Sequence, residues 1–196
     1  MRAMRARVLP VIAFLMSAAL SACSGQESDA PAASAENTPL PLMIQGMRRV
    51  DVLAGPQAAD MLGRMHGEEV APIESYVGRY RGETGNATLF LSEFASEATA
   101  DSLLSEMSES IGEGSDEFEH HTQFEAGGSQ IHMVLGQGQV HFFFARDDEL
   151  LWLAIDPPLA RPALAQVLGV TDVSFPDGGT LDGTKPPPVA DSSRTG

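Results

Sequence analysis

GQGQVHFFFARDDELLWLAI, residues 136–155, is the stretch whose reading decides the fold. Val140, Phe142 and Phe144 alternate with His141 and Phe143, so a strand here carries large rings on both of its faces. Beyond the tight turn RDDE, Leu150, Trp152 and Ala154 alternate in the same way with Leu151, Leu153 and Ile155. A half-solvated antiparallel strand reads apolar on one face and polar on the other. This hairpin does not. One face must cover helices, and the other needs a second cover, which the first helix, a dimer partner or a bound apolar ligand would supply. The face bearing His141, Phe143 and Trp152 is therefore the candidate ligand or partner face. Gly136 and Gly138 lack the third glycine of a dinucleotide loop and join two strands, so they predict a bulge or tight turn instead.

Working outward, Pro56 to His66 is predicted to be a helix. Proline suits its first position, Gly67 its stop, and Ala58, Met61, Leu62 and Met65 make one apolar stripe. A hairpin is expected over Glu74 to Arg81 and Ala87 to Phe94, with Gly85 and Asn86 in its turn. Glu97 to Ile111 reads as a second helix, capped by Ser96 and burying Ala100, Leu103, Leu104, Met107 and Ile111. Strands over Glu117 to Phe124 and Gln130 to Leu135 lead into the central hairpin. A third helix, Leu159 to Leu168, closes at Gly169, and Thr171 to Phe175 is a candidate edge strand. This order predicts an α+β fold, an antiparallel sheet of about five to six strands packed against two to three helices.

The chain's start is of another kind. Arg2, Arg5 and Arg7 precede an apolar run of twelve residues, Val8 to Ala19, broken only by Pro10 and Ser17. A membrane span needs about 20 such residues, so the run suits a signal peptide, residues 1–22. LSAC, Leu20 to Cys23, resembles the lipobox of bacterial lipoprotein precursors. The resemblance implies cleavage before Cys23, lipid on its sulfur and an acyl group on the new amino terminus. Several acyl chains together anchor stably, at about 0.8 kcal/mol per buried CH₂. Ser24, where aspartate would favour retention in the inner membrane, points to the outer membrane, facing the periplasm. Residues 23–44, rich in Ser, Ala, Pro and acids, are expected to be a disordered tether after the lipidated cysteine. Residues 45–175 are expected to form the domain, and 176–196 a flexible Gly/Pro-rich tail.

Composition narrows the function. Cys23 is the one cysteine, so a lipidated chain has no thiol for catalysis, redox exchange or zinc. Past residue 22 there are nine basic and 27 acidic residues, a net charge of −18. That charge repels nucleic acid and anionic lipid headgroups, so the lipid rather than a basic patch is expected to hold the membrane. The weak metal candidates are His132 and His141 on adjacent strands, with His121 as a third and Met133 or Met65 as neighbouring soft donors; no HExxH or HxH motif accompanies them. Glu117, Glu119 and Glu125 have the spacing of a solvated acidic face. No nucleophile elbow or phosphate loop is present and no cofactor is implied. The expectation is a non-enzymatic lipoprotein that binds an envelope protein; the alternative is a lipoprotein binding a small hydrophobic ligand or a metal.

Overall fold

The computed structural model describes residues 38–66 and 72–176. Its strands are β1 (Met43–Ile44), β2 (Met47–Ala54), β3 (Glu74–Gly82), β4 (Gly85–Glu93), β5 (Glu119–Ala126), β6 (Ser129–Gly136), β7 (Gln139–Arg146) and β8 (Glu149–Ile155). Helix α1 (Pro56–His66) links β2 to β3, α2 (Glu97–Gly112) links β4 to β5, and α3 (Ala160–Leu168) follows β8 through a 3₁₀ turn. All eight strands form one antiparallel sheet in the order β1-β2-β3-β4-β8-β7-β6-β5. The α+β class stands, with eight strands where about five to six were expected. The two additions are β1 and β2, and β2 escapes the sequence pattern because a register shift between Arg49 and Asp51 breaks its alternation.

The central hairpin is covered on both sides by the chain itself. Phe142, Phe144, Leu151, Leu153 and Ile155 pack against α3 through Ala160, Ala163 and Leu164. Phe143 and Trp152, on the opposite face, join Ala58 and Leu62 of α1 and Leu104 of α2. Phe142, Phe143 and Phe144 are all fully buried, each worth about 1.5–3 kcal/mol of transfer free energy. The second cover is thus supplied by helices. Ser96 caps α2 by accepting from the Thr99 amide, and Gly169 ends α3 in the left-handed conformation.

Two boundaries differ from expectation. The domain starts before residue 45, because Leu40 and Ile44 are buried in the α3-side core. The Arg49 guanidinium donates to the Leu40 carbonyl at 2.8 Å and Tyr80 donates its hydroxyl proton to the Pro41 carbonyl at 2.9 Å. In a stretch poor in apolar residues, Leu40 docks while Leu42 stays exposed. Residues 171–175 form no strand. Val173 and Phe175 instead plug the α3-side core, the Phe175 ring lying 5.8 Å from Phe142 and edge-on to Phe124 at 5.5 Å. The signal peptide, Cys23, the tether as far as residue 37 and the tail from 177 lie outside the described residues.

Gly136 and Gly138 close the β6–β7 hairpin for different reasons. A Cβ on Gly136 would sit 2.5 Å from the Glu117 carbonyl oxygen and 2.6 Å from the Phe118 ring, whereas Gly138 has open space and a φ of +78°. Gly136→Ala is expected to destabilise the domain by about 1–3 kcal/mol through overpacking, and Gly138→Ala by about 1 kcal/mol through backbone strain. Urea unfolding of both variants checks the order.

Candidate functional site

The register of the sheet builds an aromatic column on the α1/α2 face. His132 of β6 opposes Phe143 of β7, which opposes Trp152 of β8, which opposes Phe90 of β4. Directly opposed residues on one face of an antiparallel sheet bring their side chains into contact. The rings stack accordingly: His132 on Phe143 at 4.8 Å, and Phe143 on Trp152 at 5.0 Å with 13° between planes. A register shift between Glu119 and Thr122 puts His120 at φ +58° and exposed, and turns His121 inward to stack on His132 at 5.4 Å. Phe118 closes the side of the column, edge-on to His141 at 5.0 Å and tilted against Trp152 at 5.5 Å.

Hydrogen bonding fixes one protonation state. The Trp152 indole N–H donates to His141 Nδ1 at 3.0 Å, and because indole nitrogen only donates, Nδ1 must be bare. His141 Nε2 therefore carries the proton of the neutral ring and donates it to the Gly136 carbonyl at 3.1 Å. Both ring nitrogens are committed to the fold. His121 Nε2 and His132 Nδ1 lie 3.1 Å apart, one donating to the other. Burial lowers the pKa of all three imidazoles. That of His132 falls to about 4, burial being the larger cause and the neighbouring His121 the smaller.

The candidate residues are thereby sorted. His141, Phe143 and Trp152 retain 4%, 0% and 8% of their exposure, so the face expected to meet a ligand or partner is interior and roofed by α1 and α2. His132 and His141 share that face but are not directly opposed. His132 pairs with His121, and His141 with Trp152. Met133 points into the other core, away from the imidazoles. Among the described residues no three His, Cys, Asp or Glu groups are arranged to hold a metal; the side chain of Met65 lies outside the description. Glu117, Glu119 and Glu125 are exposed.

Sequence reasoning passed over the arginines. Arg48 of β2 opposes Arg81 of β3, and Arg79 lies on the same face two residues along. The alternation in Arg79-Tyr80-Arg81 was the available signal, since Tyr80 is buried while its neighbours are exposed. No protein-family model matches the chain, no curated protein matches it, and no solved structure matches it.

Histidines whose folded pKa lies below the unfolded value of about 6.5 bind more protons when unfolded. Their contribution to stability is whole above pH 6.5 and is lost as pH falls toward about 4. His132→Phe keeps the stack on Phe143 and removes one titrating ring. Thermal melting between pH 7 and pH 4 is expected to fall less steeply for this variant than for the parent.

Proposed function

We propose that this chain is a lipid-anchored lipoprotein of a bacterial envelope, held by Cys23 in the outer membrane facing the periplasm. Its α+β domain is a non-enzymatic module that binds an envelope protein. The observation that carries the anchor is the ordered set of basic residues, short apolar run and LSAC ending in the chain's single cysteine. A binding role, rather than a chemical one, is supported by the imidazoles. Each ring nitrogen of His141 holds a partner within the fold, and His121 and His132 bond to each other. With the central hairpin sealed on both faces, recognition falls to the outer surface.

In cells fed labelled fatty acid, the parent chain is expected to carry label that Cys23→Ser loses completely, with the variant shifting from the membrane to the soluble fraction. Undiminished label in the variant would overturn the anchor.

A further inference from the structure

We infer that the exposed corner of the sheet formed by β1, β2 and β3 docks onto an anionic phospholipid surface and sets the orientation of the domain on its membrane. Met43 opposes Arg48 across β1 and β2, and Arg48 opposes Arg81 across β2 and β3, so the three share one row on one face. Like charges set directly opposite destabilise a strand pair, and neither Arg48 nor Arg81 has an ion-pair partner among the described residues. Arg79 lies on the same face, paired with Asp51 at 3.0 Å and still half exposed. Asp51, Glu83 at the tip of the β3–β4 hairpin, and Asp156, whose carboxylate accepts from the amide of Asn86 opposite Arg81, are the nearby acids in sequence and register.

Apolar groups flank these arginines. Leu42, Met43 and Val50 retain 70%, 48% and 60% of their exposure, three of the four large hydrophobic side chains exposed among the described residues. Cationic heads beside short apolar wedges fit the boundary between phosphate headgroups and acyl chains. Charge complementarity selects the face. Arg48, Arg79 and Arg81 are three of the nine basic residues past residue 22, set against 27 acids, so this corner attracts an anionic surface that repels the rest. Averaged charge had predicted repulsion throughout; segregation of the arginines reverses that at one place. Each arginine brought to such a surface contributes roughly fivefold in partitioning.

Chain entry lies at the same corner, since Arg49 of β2 holds both Thr38 and Leu40. Cys23 is fifteen residues before Thr38, a reach of about 50 Å at full extension. This part of the argument rests on the anchor proposed above. A tether of that length raises the effective concentration of lipid at the corner, so weak contacts suffice.

The test uses the lipidated full-length chain with an environment-sensitive fluorophore on Val50→Cys, and on Glu106→Cys of the acidic α2 as control. Vesicles are phosphatidylcholine alone or mixed with phosphatidylglycerol. Docking predicts a blue shift at position 50 on the mixed vesicles only, none at position 106, and loss of the shift at high salt and in the Arg48→Glu/Arg81→Glu variant. Salt on the parent gives the same answer if that variant fails to fold. A solvent-like label at position 50 while the protein pellets with the mixed vesicles would overturn the inference. So would an equal shift on phosphatidylcholine alone, a shift caused by soluble polyglutamate, or one that appears with protein concentration and no lipid. The anchor is scored separately: failure to pellet with phosphatidylcholine, together with a Cys23 thiol open to labelling in the parent, would strike the anchor and not the corner, which is then read on the Cys23→Ser background.

Discussion

The architecture turns on one constraint: the central hairpin is apolar on both faces. β7 and β8 cannot form the edge or the wet side of a sheet, because either position would leave three consecutive phenylalanines partly in water. They therefore lie among the inner strands, with β4 on one flank and β6 on the other. Covering both faces requires material from distant parts of the chain. Helices α1 and α2 close one side. On the other, α3 is joined by Leu40, Ile44 and Met47 from before α1, and by Val173 and Phe175 from after α3.

Polar atoms caught inside that arrangement need partners. An unbonded donor or acceptor left in the core costs about 1–3 kcal/mol. Trp152, His141 and the Gly136 carbonyl form a relay in which every group meets its complement. A histidine suits the middle of the relay because a neutral ring accepts on one side and donates on the other. The depressed imidazole pKa values belong to this structural role. Perturbed titration often marks catalytic groups, but here geometry assigns the shift to burial and mutual proximity of rings.

Much of the fold was legible wherever periodicity was clean. The α1 helix over Pro56–His66, the Ser96 cap of α2 and the alternation in β7 and β8 each recur in the structure. What escaped did so for physical reasons. The shift between Arg49 and Asp51 hid β2, and a polar composition hid the single docking leucine at 40. Residues 171–175 have strand-like residues but form no ladder, since Val173 and Phe175 are spent filling the core. The histidines were legible as types but not as pairs: the shift at His120 decided that His121 rather than His141 meets His132. Whether a two-faced hairpin is closed by its own helices or by something else cannot be read from alternation alone, because the pattern is identical in both cases.

On the proposed binding role, closure leaves recognition to the surface. With the aromatic column sealed, the arginines of β2 and β3 and the exposed apolar groups beside them are, among the described residues, one departure from a largely acidic exterior. The claim that the α1/α2 face is closed by the chain itself is tested most directly through Trp152, the single tryptophan. Its emission and its quenching by acrylamide report the column alone. The account predicts blue-shifted emission and weak quenching in the native protein, both converting to solvated behaviour only on global unfolding. Emission typical of solvated indole with free quenching under native conditions would show the face open, and would contradict it.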